Sequence, residues 1–334
     1  MNAVPFLDIT PHGRLINQLN IAYDRVFNSS QYVGGKEVEA FEQEWADYCQ
    51  AKYCVGVGNG HDALMLACRY FYEPQKPIKP VAFTPWKTCL PTWSAARNGN
   101  LSPFLLNGEA QGIAIAVHIY GDIAVPPHKQ DTIIIEDCAQ AHGAKFRGRP
   151  AGSFGNVAAW SFYPTKNLGA LGDAGAVTTN DLAIAEYVRE MSHYGTPDHN
   201  GINSRLDPMQ AAFLRAKLPF LDDWNEQREE NAWCYLNNIK RYEKIKLPIP
   251  IDDEQPCWHI FAIETDERDD LREFLAARDI ETMIHYPHVP YPNNWREPEA
   301  EAWVKQTLSL PVAPHVTPHI CKRISEFINQ WMGA

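Results

Sequence analysis

No stretch of the 334-residue chain comes near the roughly 20 consecutive apolar residues of a bilayer-spanning helix. Met1 to Arg14 also lacks the basic head and apolar run of a secretory leader, so a cytoplasmic protein without a membrane partner is expected. Positive charge is scarce: 30 lysines and arginines stand against 41 aspartates and glutamates, a formal net charge of −11. Such a surface repels a phosphate backbone and argues against nucleic acid as a partner. Closely spaced cysteine pairs are missing as well. The eight cysteines, at 49, 54, 68, 89, 138, 234, 257 and 321, are scattered, which excludes a disulfide framework or a zinc ribbon and reads as reduced thiols. His315, His319 and Cys321 lie near one another, but Pro311, Pro314 and Pro318 break the helix that would align them on a metal, so loop histidines are expected there. Repeats, charge runs and low-complexity tracts are absent too.

What the chain does have is apolar material, 45% hydrophobic and 11% aromatic, enough for a large core in one or two domains. Val38, Phe41, Trp45 and Tyr48 recur at helical spacing up to Cys49. Tyr53 to Val57 is a short apolar strand, and Gly58-Asn59-Gly60 opens an apolar helix from about Asp62 to Phe71. Further β-rich runs cover Ile113 to Ile119, Thr132 to Ile135 and Val157 to Phe162. Strands alternating with helices predict an α/β sheet. From Pro208 helical segments take over, at Met209 to Lys217 and Asp222 to Ile239. A short α+β portion follows, with Trp258 to Glu264, Asp269 to Arg278 and a last helix near Pro318 to Trp331. The expected division is a large domain, 1–240, and a small one, 241–334, with a cleft between them.

Three segments carry chemistry. In Ser161-Phe-Tyr-Pro-Thr-Lys166-Asn-Leu-Gly-Ala-Leu-Gly-Asp173-Ala-Gly175 one lysine follows a strand among glycines and apolar residues. Apolar surroundings disfavour an ammonium, which lowers the pKa and frees the amine to attack an aldehyde; the plainer alternative is an exposed turn lysine. In Ile133-Ile-Ile-Glu136-Asp137-Cys-Ala-Gln140-Ala-His142-Gly143 a buried strand delivers two acids at its carboxyl end, where α/β folds bind ligands. Asp137 there could pair with a cationic ring nitrogen, as pyridoxal phosphate requires, or simply cap a helix. Gly58-Asn59-Gly60-His61-Asp62 offers free N–H groups at a helix start, which suits a phosphate but equally describes a tight turn.

In this order, with the lysine 29 positions after the aspartate, these segments resemble the DegT/DnrJ/StrS family of sugar aminotransferases over most of the chain. Tyr32-Val-Gly-Gly-Lys-Glu-Val-Glu-Ala-Phe-Glu42, Val117-His118-Ile-Tyr-Gly121, Gly201-Ile-Asn203-Ser-Arg205-Leu-Asp207-Pro-Met-Gln210 and Ile284-His285-Tyr286-Pro287 add to the likeness. The resemblance implies a fold type I, pyridoxal phosphate-dependent transferase, with a mixed, mostly parallel sheet flanked by helices and a smaller C-terminal α+β domain. It implies that Lys166 forms the Schiff base, that Asp137 pairs with the pyridine nitrogen, and that Gln140 lies near the ring. Ser161 and the backbone at Gly60, His61 and Asp62 would hold the phosphate, and Trp86 would stack on the ring. Asn203 would reach the phosphate of a neighbouring subunit, which implies a homodimer with shared active sites. His193, Tyr194, His285 and Tyr286 are candidate substrate contacts.

The implied reaction moves an amino group from an amino acid, glutamate first, to a keto group of a nucleotide-linked deoxysugar, with the cofactor cycling through pyridoxamine phosphate. A surface polysaccharide or a glycosylated natural product would use the same chemistry. Some relatives dehydrate sugars with a histidine in place of the lysine, and Lys166 argues against that here. A cofactor-loaded sensor without turnover would carry the same motifs, whereas a Rossmann oxidoreductase would need a Gly-x-Gly-x-x-Gly run that does not follow Val55 to Val57. Two departures stand out. His61 replaces the family's usual threonine, and the stretch from Asn100 to Ala114 is short, which puts the edge of the large domain in question.

Overall fold

The computed structural model describes residues 3–72, 81–106, 109–124, 128–240, 244–292 and 297–333. Two helices open the chain, α1 (Arg14–Ser29) and α2 (Lys36–Cys49), and α2 buries Val38, Phe41, Trp45 and Cys49 at the spacing expected of an amphipathic helix. The first strands are β1 (Tyr53–Val57), β2 (Val81–Thr84), β3 (Ser102–Leu105), β4 (Ile113–Val117) and β5 (Ile133–Asp137). Helix α3 (Gly60–Tyr70) follows β1, and α4 (Leu90–Asn98) follows β2. Short strands β6 (Lys145–Phe146) and β7 (Arg149–Pro150) precede β8 (Val157–Ser161) and β9 (Gly175–Thr179). After α5 (Leu182–Met191) come the hairpin β10 (His193–Thr196) and β11 (His199–Asn203), then α6 (Pro208–Lys217) and α7 (Leu221–Asn238). The remainder holds β12 (Glu254–Gln255), β13 (Phe261–Glu264), α8 (Arg268–Ala276), α9 (Pro298–Gln306), β14 (Thr307–Leu310) and α10 (Pro318–Trp331).

The main sheet runs β1-β9-β8-β5-β4-β2-β3. Strand β9 is antiparallel to both of its neighbours, and the other pairings are parallel, giving the mixed, mostly parallel sheet expected. The pleat sends alternate residues to opposite faces. Val55, Val57, Val157, Ala159 and Val177 face a core that includes Leu64 and Leu66 of α3 and Ile184 and Val188 of α5. Cys54, Ala158, Trp160 and Ala176 face Phe41 and Trp45 of α2 and Leu214 of α6. A further apolar cluster takes Val4 from the start of the chain and Ala232, Tyr235 and Leu236 from α7 and gathers Phe261, Ile263, Leu308, Leu310, Ile324 and Ile328.

The short stretch from Asn100 to Ala114 does not abolish the sheet edge. Residues Ser102 to Leu105 pair in parallel with Val81 to Thr84 along the whole of β2. The strand escapes a reading by apolar pattern because it contains Pro103, which an edge strand tolerates where an inner one does not. Strand β9 was equally hidden, since its Gly175-Ala-Val-Thr-Thr sequence follows a glycine-rich turn. Trp258 to Glu264 is shorter as a strand than its pattern predicts, because Cys257 and Ile260 bond instead to the backbone of Gly121 and Tyr120. Among the described residues no helix is long and apolar enough to cross a membrane.

Glu136 and Asp137, adjacent at the end of β5, are separated by the pleat. Glu136 is fully buried, lies 2.8 Å from His118 Nε2 and accepts N–H bonds from Gly152 and Phe154, both at 2.8 Å. It therefore fastens the turn before β8 to the sheet and takes no part in the cavity. Removing such an acceptor strands buried donors, so Glu136→Ala is expected to lower the unfolding free energy by about 3–5 kcal/mol. Urea unfolding followed by circular dichroism measures this, and a loss well under one kcal/mol would contradict the assignment.

Candidate active site

The strand ends set the position of the cavity. Across the sheet Val57 pairs with Gly175, and Gly175 with Ser161; one layer over, Val117 pairs with Asp137, and Asp137 with Ala159. The carboxyl ends of β1, β4, β5 and β8 thus meet the start of β9 along one edge. There a cavity of about 560 Å³ is lined by Gly60, His61, Cys89, Thr92, Asp137, Ala139, Gln140, Ser161, Lys166 and Tyr286, among others.

Asp137 is 8% exposed, and two donors fix its carboxylate: Thr92 Oγ1 at 2.7 Å and the Ala139 N–H at 3.2 Å. Thr92 in turn accepts from Thr88 Oγ1 at 3.0 Å, and both threonines are fully buried. Sequence reasoning missed this pair; its only trace was the Thr88-Cys-Leu-Pro-Thr92 run at the start of α4. Lys166 follows the turn after β8, with its N–H on the Tyr163 carbonyl at 2.9 Å. Burial pushes its ammonium below the ordinary lysine value, against the opposing electrostatic influence of the Cys89, Asp137 and Cys257 groups. The neutral amine is the form a carbonyl condenses with.

At the opposite corner Asn59 caps α3, its Oδ1 accepting from the Asp62 N–H at 2.8 Å. That bond consumes the Asp62 N–H, and the Asp62 carboxylate is held by Asn59 Nδ2 at 3.0 Å and Ser204 Oγ at 2.6 Å. The hydrogen bond from His61, then those from Ser204 and Asn59, hold the Asp62 carboxyl below its ordinary pKa. Of the expected phosphate-binding segment only the Gly60 and His61 N–H groups are left without a protein acceptor among the described residues. The His61 ring lies 3.2 Å from Ser94 Oγ, so its side chain packs toward α4 while its backbone stays at the helix start. A Cβ on Gly60 would lie 2.5 Å from Ser161 Cβ, and one on Gly175 would lie 2.4 Å from the Asn59 carbonyl carbon. Glycine at both positions lets the helix start, Ser161 and the lysine turn share one corner.

Gln140 lines the cavity with both ends of its amide engaged: Oε1 accepts from the Tyr120 N–H at 2.6 Å, and Nε2 donates to Tyr286 Oη at 2.6 Å. Burial raises the Tyr286 hydroxyl above its ordinary pKa. His285 does not line the cavity. Its ring lies 2.9 Å from Ser309 Oγ, its carbonyl accepts from Tyr120 Oη, and burial followed by the charge of Lys166 lowers its imidazole to about 4. Trp86, expected on the ring, is not among the residues that line this cavity. It meets Trp303 edge-on at 6.0 Å and packs beside Trp93 and Tyr291, because the turn into α4 carries it away from the strand ends. From that segment it is Cys89 that reaches the cavity wall.

Asn203, His193 and Tyr194 lie outside the cavity of their own chain. All three are exposed on the β10–β11 hairpin; Asn203 borders a depression with Tyr32, Val33, Arg205 and the far side of the Asn59–Asp62 turn, and Arg205 lies 5.7 Å from the Tyr194 ring.

A group with an aldehyde, a ring nitrogen and a phosphate fits this donor set: a buried amine at Lys166, a carboxylate at Asp137, and two orphan N–H groups beside Ser161 at a helix start. Comparison with known proteins agrees. The model of the DegT/DnrJ/EryC1/StrS aminotransferase family matches residues 15–118 and 105–329. The chain belongs to this family. It is therefore a pyridoxal phosphate-dependent aminotransferase of fold type I. A dTDP-3-amino-3,4,6-trideoxy-alpha-D-glucose transaminase of Streptomyces venezuelae is 37% identical over 372 aligned positions, covering 98% of this chain and 96% of the relative. A dTDP-3-amino-3,6-dideoxy-alpha-D-galactopyranose transaminase of Aneurinibacillus thermoaerophilus is 36% identical, covering 98% and 99%. The crystal structure of S. venezuelae DesV in complex with a ketimine intermediate superposes with a TM-score of 0.90 at 35% identity, covering 100% of both chains.

Two outcomes follow from this geometry. Gly60→Ala forces Ser161 or the helix start to move, and the dissociation constant for pyridoxal phosphate, read by absorbance titration, should rise roughly tenfold or more; unchanged affinity would place the phosphate elsewhere. His142, fully buried among Trp45, Trp160 and Phe162, has its imidazole lowered to about 3 by burial. The unfolded chain binds this proton near pH 6.5 and the folded one only near 3, so stability present above 6.5 is lost as pH falls toward 3. His142→Leu should flatten that part of the stability-against-pH curve, measured by denaturant titration at a series of pH values.

Proposed function

We propose that the protein transfers an amino group from an amino acid, glutamate first, to a keto group on a nucleotide-linked deoxysugar. The observation that carries this reading is the cavity in which Lys166, its ammonium disfavoured by burial, shares a wall with Asp137 at the strand ends. The closely related sequences, acting on dTDP-linked amino sugars, support the substrate class.

Pyridoxal phosphate, when bound, supplies an electron sink for the carbon that bears the nitrogen. The chain's own residues do the rest. Lys166 Nζ would hold the cofactor through its aldehyde and, once free, would serve as the base that takes a proton from the donor's α-carbon and as the acid that returns one. Asp137, oriented by Thr92 and the Ala139 N–H, holds a proton on the ring nitrogen. The Gly60 and His61 N–H groups and Ser161 hold the phosphate, with the α3 dipole adding to the attraction. Gln140 and Tyr286 close the wall on the side of residues 284–287.

The same reading includes a homodimer with shared sites. Asn203, with His193 and Tyr194 on the same hairpin, is exposed and borders the outer side of the Asn59 turn, which suits a role in the site of a second copy. It also includes a division into a large unit, 1–240, and a smaller one, 241–334, supported by the separate apolar cluster drawn mainly from residues beyond 240, and a cytoplasmic location.

The test uses the purified protein loaded with pyridoxal phosphate. Addition of glutamate in a single turnover should convert the bound cofactor to its pyridoxamine form, and a 3-keto or 4-keto deoxysugar nucleotide should restore the original spectrum. No spectral change with any amino acid would favour a sensor over an enzyme. Lys166→Ala should abolish the visible band of the lysine–cofactor adduct and reduce turnover roughly a thousandfold or more; retention of both would end the assignment.

A further inference from the structure

The departure at Trp86 changes what covers the cofactor. Cys89 is the N-cap residue of α4, with extended backbone (φ −111°, ψ 162°), and it lines the cavity. Sγ lies 3.5 Å from Thr92 Oγ1, the same hydroxyl that donates to Asp137. Cys89 lines one cavity with Lys166, Asp137 and Tyr286. Cys89 therefore stands amid the side chains that meet the ring nitrogen, the aldehyde carbon and the rim of the ring. Trp86 is fastened to Trp303 and cannot take that place without leaving its own packing.

We propose that Cys89 lies against the flat face of the bound pyridine ring, so that this active site carries a thiol shielded by its own cofactor. The inference rests on the reading of the cavity as the pyridoxal phosphate site. Sulfur is polarizable and makes favourable contacts with aromatic rings, but it covers less of a ring than indole would. Burial first, then the charge of Asp137, keeps the thiol above its ordinary pKa. At neutral pH it stays protonated and does not compete with the Lys166 amine for the aldehyde.

The other cysteines make the claim testable on the unaltered chain. Cys49, Cys54, Cys68, Cys138, Cys257 and Cys321 are buried, and Cys234 is half-buried far along the chain on α7, where its thiol donates to the Pro318 carbonyl. Cofactor-free and cofactor-loaded protein are treated with N-ethylmaleimide at mildly alkaline pH, and each cysteine is quantified by peptide mass spectrometry. Borohydride reduction of a parallel sample reports the cofactor adduct on Lys166. Labelling of Cys89 should fall about tenfold on loading, while labelling of Cys234 stays constant. If Lys166 carries the adduct but Cys89 labels equally in both forms, or in neither, the proposal is overturned and the reading of the cavity stands. If no adduct forms on Lys166, both are overturned. Cys89→Ala should raise the dissociation constant for pyridoxal phosphate about fivefold and shift the visible band, with Trp86→Phe altering neither; the opposite pattern would put the indole on the ring.

Discussion

Three backbones crossing at van der Waals distance decide what this protein can do. The turn at Asn59 and Gly60, the end of β8 at Ser161 and the start of β9 at Gly175 meet so closely that a methyl group on either glycine would strike its neighbour at about 2.5 Å or less. The crossing exists because β9 runs against β1 and β8, which brings the beginning of one strand to the ends of two others. It delivers the start of α3 with its unpaired N–H groups, the Ser161 hydroxyl, and five residues further on the lysine turn. A phosphate and an aldehyde on one small ring can be held together only where these features converge.

The pleat of β5 adds the second half of the chemistry. Glu136 and Asp137 are chemically alike and adjacent, yet one is spent on the Gly152 and Phe154 N–H groups and His118 while the other faces the cavity. The difference is purely geometric, since successive side chains of a strand leave on opposite faces. The threonines at 88 and 92 then orient Asp137 from α4, and burial shifts Lys166 toward the form that reacts. Buried amine and oriented carboxylate on one cavity wall are the minimum for a cofactor that must accept electrons and be exchanged between amines.

The wall as a whole also depends on contacts between distant parts of the chain. Gln140 is fixed by Tyr120 on one side and Tyr286 on the other, and Cys257 Sγ donates to the Gln140 carbonyl at 3.1 Å. Asn167, next to the lysine, donates to Asn225 and to the Cys257 carbonyl, both at 2.8 Å. The lysine turn is thereby braced from α7 and from the segment leading into β13.

Much of this was legible in the linear chain. The helical spacing of α2, the apolar strands β1, β4, β5 and β8, the isolation of Lys166 among glycines, and the order of the three motifs all depend on local pattern, and local pattern survives in sequence. Strands β3 and β9 were not legible because Pro103 and Gly175 suit an edge and a close crossing, neither of which has a hydrophobic period. Trp86 against Cys89 was not legible either: three residues apart, their directions are set by where the turn enters α4 and by Trp303, more than two hundred residues away. The sequence by itself determined the fold class, the family and the chemical groups on hand. Only the tertiary structure decided which acid, which N–H groups and which of two neighbouring side chains face the cavity, because those directions follow from strand register and packing between segments remote in sequence.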